Sequence, residues 1–260
     1  MASSPTDLPV HHLTARDGIR LAWRELGPEA GGGRPLVLIH GYFSNAVTNW
    51  VRYGHAALLA DAGFRVIMPD LRAHGDSDKP HEGRFYPPDI LADDGFALVA
   101  HLGLTDYDLG GYSLGGRTVM RMLTKGAAPR RAVLAGMGLE GMVHTAGRGV
   151  YFRHVLTHLG SFARGTSEWM TEAFLKTTGG DPVALLHVLD TFVDTPLAAI
   201  EAVATPALVA TGAEDDDNGS GRALAESLPH GRFAEIPGNH MSAVTKPELG
   251  RAIADFLTAS

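Results

Sequence analysis

Asp108-Leu-Gly-Gly-Tyr-Ser-Leu-Gly-Gly-Arg117 is the stretch of sequence that decides the fold. It contains Gly111-Tyr-Ser-Leu-Gly115, with apolar residues before it and a helix-compatible run, 117–123, after it. A sharp turn between a strand and a helix strains its central residue, and the residues two positions away on each side must be small. Such a turn would expose the hydroxyl of Ser113 in front of a helix N-terminus, which stabilises developing negative charge. Ser113 is therefore the candidate nucleophile.

The pentapeptide alone does not decide between this turn and an ordinary one, because the chain contains 32 glycines. Strands and helices alternate on both sides of it, after a hairpin predicted around Asp17-Gly18 with strands at 12–15 and 19–25. The predicted buried strands span 36–39, 65–70, 107–111, 131–135, 206–211 and 232–236. The predicted helices span 49–62, 87–102, 117–123, 220–228 and 247–257, and a Gly-rich surface loop spans 27–35. This alternation predicts a mostly parallel sheet with helices on both faces.

The alternation stops between residues 141 and 194, where no buried strand is evident. Helical segments are predicted instead at 149–158, 167–177 and 182–192. A helical insertion between two strands is the simplest interpretation. We therefore expect a core domain made of residues 1–140 and 203–260 and a small helical cap made of residues 141–202.

A serine hydroxyl needs a base to take its proton, and the base works best when an acid holds it in one tautomer. Two predicted strand ends supply these groups, in Gly212-Ala-Glu-Asp215 and Pro237-Gly-Asn-His240. His240 is one of 13 histidines, and its place between a strand and the last helix favours it as the base. Asp215 is the candidate acid. Neighbouring acids, Glu214, Asp216 and Asp217, crowd it, and only its spacing from Gly212 favours it.

The chemistry also needs donors for an oxyanion, and backbone N–H groups near Ser113 can provide them. One predicted donor is the N–H of Leu114, directly after the nucleophile. The second is the N–H of Tyr42, which follows the predicted strand 36–39 and the turn at His40-Gly41. We interpret His40 as structural, because its position inside the turn suits a hydrogen bond to the backbone.

Five segments together resemble the α/β-hydrolases of the esterase, haloperoxidase-like and C–C hydrolase group. They are His40-Gly41-Tyr42, Asp70-Leu-Arg-Ala-His-Gly-Asp-Ser77, 111–116, 212–215 and 237–240, and they follow the family's order over nearly the whole chain. Ala73 departs from the family's usual glycine in the second segment, which affects only the local turn geometry. Asp70 and Arg72 are interpreted as structural. The resemblance implies the α/β-hydrolase fold and, because the elbow carries serine rather than aspartate, disfavours dehalogenase and epoxide hydrolase chemistry.

The predicted function is cofactor-free cleavage of a small to medium uncharged carboxylic ester by Ser113, His240 and Asp215. The alternatives are a C–C bond hydrolase or perhydrolase with the same three residues, and a ligand-binding protein that keeps the fold without catalysis. The cap is rich in aromatic and methionine side chains, which predicts an apolar pocket. The residues assigned to this pocket are Phe43, Met142, Phe152, Trp169 and Met241.

Composition excludes several other classes of function. The net charge is −7 and no basic stripe occurs, which argues against a nucleic-acid partner. The chain has no cysteine, so disulfides and thiolate chemistry are excluded. His154 and His158 share a helix face but offer only two ligands, so no metal site is predicted. No apolar run reaches the ~18 residues of a membrane span, and no leader is evident, which predicts a soluble cytoplasmic protein. A monomer or homodimer is expected.

Overall fold

The apolar runs of the sequence form the strands of an eight-stranded sheet in a computed structural model, which describes residues 8–28 and 32–259. The strands are β1 (His11–Thr14), β2 (Arg20–Leu26), β3 (Arg34–Ile39), β4 (Phe64–Pro69), β5 (Asp108–Tyr112), β6 (Ala132–Ala135), β7 (Ala207–Gly212) and β8 (Gly231–Ile236). Their order across the sheet is β1-β2-β4-β3-β5-β6-β7-β8. The β1/β2 and β2/β4 pairs are antiparallel, and all other pairs are parallel. The predicted mostly parallel sheet is confirmed.

Helices connect the strands and cover both faces of the sheet. They are α1 (His55–Asp61), α2 (Ile90–His101), α3 (Leu114–Thr124), α4 (Leu139–Val143), α5 (Ala146–Thr157), α6 (Ser167–Thr177), α7 (Pro182–Val188), α8 (Leu197–Glu201), α9 (Gly221–Ser227), α10 (His240–Ala243) and α11 (Pro247–Thr258). A short π-helix spans Val47–Val51, and single 3₁₀ turns span Gly83–Phe85 and Leu189–Thr191. None of these helices, within the part of the chain that is described, is long and apolar enough to cross a membrane.

Each face of the sheet has its own apolar core, because alternate residues of a strand point to opposite faces. In β3, Leu36 and Leu38 pack with the core under α1 and α11, whereas Val37 and Ile39 pack with the core under α2 and α3. All four are at most 1 % exposed. A strand buried on both faces explains why this run contains no polar residue.

The predicted helix over 49–62 is wrong as one continuous element. Gly54 takes the left-handed conformation with φ of 81°, which separates the π-helix Val47–Val51 from α1. Glycine enters this conformation without the steric penalty of a β-carbon, so the chain can turn here. The predicted Gly-rich loop over 27–35 is also shortened, because β3 begins at Arg34, and its residues 29–31 lie outside the described part.

Helices α4 to α8 lie between β6 and β7, where the sequence predicts the cap. Two of them begin as their sequences predict: the hydroxyl of Thr166 accepts from the N–H of Trp169 at the start of α6, and the carboxylate of Asp181 caps α7. Helix α4 extends across the predicted boundary at residue 140 and packs against α3 and α9. The division into two domains stays a prediction.

Candidate active site

Ser113 lies at the turn between β5 and α3 with φ of 53° and ψ of −115°, a conformation that L-residues rarely adopt. The turn depends on its two flanking glycines. A β-carbon at Gly111 would lie 2.3 Å from the backbone carbon of Gly115, and one at Gly115 would lie 2.1 Å from the carbonyl oxygen of Ile39. Only glycine fits at either position, so the sequence forces the strained residue that carries the hydroxyl.

The side chains of Ser113, His240 and Asp215, which we call the serine cluster, form one chain of hydrogen bonds. The Ser113 hydroxyl donates to Nε2 of His240 over 3.0 Å. Nδ1–H of His240 donates to Oδ2 of Asp215 over 2.9 Å. The side chains of His240 and Asp215 are 9 % and 2 % exposed, so their hydrogen bond is shielded from water. The arrangement holds the imidazole with Nε2 free to accept the proton of Ser113.

The acid loop after β7 presents Asp215, and not its acidic neighbours, to Nδ1 of His240. Asp216 is exposed. Asp217, which the sequence did not single out, lies close: ligand atoms of Asp215, Asp217 and His240 are all within 4.8 Å of one another. The carboxylate of Asp217 accepts from Nη2 of Arg148 in α5 over 2.8 Å. Each carboxylate thus already has a partner, an arrangement that suits a positioned base better than a metal ion.

The two predicted oxyanion donors lie on loops that meet at Ser113. A β-carbon on Gly41, directly before Tyr42, would lie 3.4 Å from the β-carbon of Ser113. Within residues 8–28 and 32–259, neither the N–H of Tyr42 nor that of Leu114 donates to a protein acceptor. Asn49 fixes the turn by accepting from the N–H of Gly41 over 3.0 Å. Both N–H groups therefore remain available to a bound oxyanion.

A second polar group, which we call the β4 cluster, consists of His40, Asp70, Arg72 and His74. Nδ1–H of His40 donates to the carbonyl of Gly41, and its Nε2 accepts from the backbone N–H of the residue after Asp70. Asp70 is 2 % exposed and accepts from the backbone N–H groups of two loops, at residues 46 and 76. Burial lowers the pKa of His40 and holds that of His74 well below its usual range. Both imidazoles are therefore neutral at pH 7.

The guanidinium of Arg72 is fully buried and completes the β4 cluster. Nε and Nη2 of Arg72 donate to the two carboxylate oxygens of Asp94 over 2.9 Å and 2.8 Å. Nη1 donates to the carbonyl of Phe85 over 2.6 Å and pairs with Asp17. All three guanidinium nitrogens of Arg72 thus donate hydrogen bonds to other residues of the protein.

The five residues assigned to a substrate pocket lie in four different surroundings. Phe43 is 1 % exposed, and its ring lies 5.3 Å from that of Phe152 in α5, close to the oxyanion turn. Met142 is fully buried in the core. The ring of Trp169 lies under the guanidinium of Arg164, at the start of α6. Met241 follows His240 and is 53 % exposed. Their role in binding stays a prediction.

Two tyrosine hydroxyls that sequence reasoning missed position the site. The hydroxyl of Tyr112 donates to the carbonyl of His240 over 2.6 Å, which ties the histidine loop to the end of β5. The hydroxyl of Tyr42 donates to the carbonyl of Leu185 in α7 over 2.6 Å, which ties the oxyanion turn to the helices after β6. Both rings are buried. The position of Tyr112 directly before Ser113 was the available signal, but its partner lies 128 residues away.

Sequence comparisons find relatives for part of the chain. A sequence profile described as alpha/beta hydrolase fold matches residues 34–146. The chain is 38 % identical over 144 residues to the dihydrolipoyllysine-residue acetyltransferase component of an acetoin cleaving system from Pseudomonas putida, covering 50 % of this chain and 36 % of that protein. It is 36 % identical over 135 residues to a non-heme haloperoxidase from Rhodococcus erythropolis, covering 51 % of this chain and 46 % of that protein. The matches thus span less than half the length of either relative.

The fold is similar to solved structures over almost its whole length. A hydrolase from Pseudomonas aeruginosa PA01 superimposes with a TM-score of 0.76 at 23 % identity, covering 96 % of this chain and 98 % of that one. Other matches carry the names epoxide hydrolase and esterase. The profile, the sequence relatives and the shared sheet agree, and the chain has the α/β-hydrolase fold.

Proposed function

We propose that this protein is a serine hydrolase that cleaves carboxylic esters through an acyl-enzyme on Ser113. The observation that carries the proposal is the chain of hydrogen bonds from the Ser113 hydroxyl through His240 to Asp215, at 3.0 Å and 2.9 Å. A base within hydrogen-bond distance of a hydroxyl, itself held by a carboxylate, is the arrangement that activates serine. The unpaired N–H groups of Tyr42 and Leu114 support the same function.

In the proposed reaction, Oγ of Ser113 attacks the ester carbonyl while Nε2 of His240 takes its proton. The carbonyl oxygen becomes an oxyanion that accepts from the N–H groups of Tyr42 and Leu114. The imidazolium, stabilised by Asp215, then gives its proton to the leaving alcohol, and the acyl group stays on Ser113. Water, deprotonated by His240, attacks the acyl carbonyl and releases the carboxylic acid with Ser113 restored.

Relatives named non-heme haloperoxidase favour a second candidate function, in which hydrogen peroxide rather than water takes the acyl group from Ser113. If hydrogen peroxide replaces water in the last step, the same acyl-enzyme yields a peroxy acid and free Ser113. Epoxide hydrolysis is a weaker candidate for this chain, although some relatives are named epoxide hydrolase. The resemblance assigns those enzymes an aspartate where this chain has Ser113. A purely ligand-binding role is disfavoured, because binding alone does not require Ser113, His240 and Asp215 to be aligned in one chain of hydrogen bonds.

Intact-mass spectrometry after treatment with a fluorophosphonate tests the activated serine. We expect one phosphonyl adduct on the native protein and none on Ser113→Ala, because only an activated hydroxyl reacts. The absence of an adduct on the folded native protein would contradict the proposal and favour the ligand-binding alternative.

A panel of 4-nitrophenyl esters with acyl chains of increasing length tests the bond that is cleaved. We expect the highest kcat/KM with short to medium chains and no turnover by Ser113→Ala. Turnover confined to vinylogous diketones would replace the ester assignment with C–C bond cleavage. Peroxy acid formed faster than carboxylic acid in the presence of peroxide would favour the perhydrolase.

A further inference from the structure

Arg117 is a buried cation that the proposed reaction does not use. It lies in the second turn of α3, and it is 6 % exposed. It lines a narrow cleft, open to solvent, between α3, the start of α2 and the segment 191–193. Leu114 lines the same cleft, because residues three apart on a helix share a face.

The guanidinium of Arg117 has no anionic partner in the part of the chain that the structure describes. Its Nε is buried without a hydrogen bond, and no carboxylate lies within ion-pair distance. Its neighbour Arg121, on the same helix, donates to both carboxylate oxygens of Asp89 over 2.7 Å and 2.6 Å. Among the described residues, one arginine of this helix thus has an acidic partner and the other has none.

The surroundings of Arg117 orient its guanidinium without neutralising its charge. Its guanidinium carbon lies 4.5 Å from the centre of the Phe192 ring, which fixes the group by a cation–π contact. Asp194 contributes only a distant attraction, since its Oδ1 accepts from the N–H and hydroxyl of Thr145. Burial lowers the pKa of Arg117 to about 10, so the side chain remains charged at pH 7. An unpaired buried charge is unfavourable, and a bound anion would offset it.

We propose that Arg117 binds a carboxylate in this cleft, carried by the acyl part of the substrate. Guanidinium groups match carboxylates through two parallel N–H donors. Leu114, whose N–H is a proposed oxyanion donor, is one of the residues that line the cleft, and Arg117 follows Ser113 by about one helical turn, roughly 6 Å along the axis of α3. In this proposal, the acyl chain therefore extends from Ser113 past Leu114 toward Arg117. The substrate class is then the monoester of a short dicarboxylic acid, in place of the uncharged ester that the sequence predicts. This inference rests on the proposed function.

Matched pairs of ethyl esters test the proposal through specificity. The monoethyl esters of succinate, glutarate and adipate are compared with ethyl butanoate, pentanoate and hexanoate. For the best pair, we expect the native protein to favour the charged ester and Arg117→Met to reduce the ratio of the two kcat/KM values about 10- to 100-fold. Arg117→Lys should recover part of this ratio. Arg130→Met, which removes an exposed arginine of the same charge, should leave the ratio unchanged.

Binding to Ser113→Ala tests the site without turnover. Calorimetry with the monoethyl ester of the best pair should show binding to Ser113→Ala and at least tenfold weaker binding to Ser113→Ala/Arg117→Met. Acetate and glutarate provide the second arm, because a free anion has the same carboxylate. Either anion binding more tightly than the monoester would overturn the assignment to the acyl chain and make the cleft an effector site.

Two outcomes separate the failure of this inference from the failure of the proposed function. Hydrolysis of the neutral esters with no preference for the charged ones leaves the esterase standing and overturns the carboxylate site. Absence of all ester hydrolysis contradicts the esterase, and the calorimetry then decides the site alone. A lower thermal midpoint of Arg117→Met with an unchanged ester ratio would assign the arginine a structural role and also overturn the proposal.

Discussion

The serine cluster and the β4 cluster place the same residue types at the same edge of the sheet and use them differently. Each places a histidine near a buried acid at the end of a parallel strand. In the β4 cluster, both nitrogens of His40 bond to the backbone and Asp70 holds two loops. In the serine cluster, the bonds lead outward to the Ser113 hydroxyl, which remains half-buried at the surface of the site.

The difference shows that reactivity depends on where a hydrogen-bond chain ends. A buried polar group stabilises the fold when its donors and acceptors are used within the protein. The chain from Asp215 through His240 ends instead on a hydroxyl at a strained residue, beside two N–H groups without acceptors. The β4 cluster is therefore expected to determine stability, and the serine cluster to determine turnover.

The largest expected effect comes from Asp215→Asn, which removes the carboxylate that accepts the hydrogen bond of His240 in the serine cluster. An amide at this position would favour the wrong tautomer of His240, and we expect kcat to fall about 10⁴-fold with the thermal midpoint preserved. Steady-state kinetics and differential scanning calorimetry measure the two quantities. Asp216→Asn is the matched control and should change kcat less than about twofold, because Asp216 is exposed. A severe loss in Asp216→Asn alone would shift the acid by one residue.

Arg72→Met should have the opposite outcome, a loss of stability with little direct effect on chemistry. It leaves the carboxylate of Asp94 buried without its bidentate partner, which costs about 3–5 kcal/mol of the free energy of unfolding. Urea unfolding measures this loss. Residual kcat per folded molecule should remain near that of the native protein.

The double variant Arg72→Met/Asp94→Leu provides the control for this pair. Replacing both charges by apolar side chains removes the unpaired buried carboxylate, so a large part of the lost stability should return. If Arg72→Met instead abolishes turnover in a protein that unfolds normally, the β4 cluster takes part in the reaction and the comparison fails.

The sequence predicted what local patterns determine. The glycines around Ser113, the apolar run of β3 and the order of the five segments were enough for the sheet and for the residues of the serine cluster. Gly54 was visible, but the helical pattern around it obscured the break between Val51 and His55. Helices α4, α8 and α10 were not predicted, since each has only four or five residues.

Contacts between distant segments that no motif marks could not be predicted. The bond from Tyr42 to the carbonyl of Leu185 joins residues 143 positions apart, and nothing in either segment encodes the other. The unpaired state of Arg117 is equally invisible in the sequence, because it depends on which acids the fold brings near. A sequence pattern predicts the local structure of one segment, whereas the packing of the fold determines which distant residues contact it.

A smaller effect concerns the response of stability to acid. Burial lowers the pKa of His40, His55 and His74, so the unfolded chain takes up protons before the folded one as the pH falls below about 6.5. The free energy of unfolding should then decrease with falling pH, by up to about 1.4 kcal/mol per pH unit for each histidine. Urea unfolding at pH 7.0, 6.0 and 5.5 measures the slope. His74→Leu should make it shallower, and an equal slope in both proteins would contradict this origin.

The smallest expected effect is that of Ala73→Gly, which restores the usual glycine of the β4 cluster's loop. Ala73 has φ of 69°, a conformation whose strain of about 1–2 kcal/mol glycine would relieve. The greater freedom of the unfolded chain and the lost burial of one methyl group oppose this gain. We expect the free energy of unfolding to change by less than about 1 kcal/mol. Gly75→Ala is the control: its β-carbon would lie 2.3 Å from the Asp70 carboxylate, so it should destabilise more. Equal effects would mean that the loop adjusts freely and that Asp70 does not fix it.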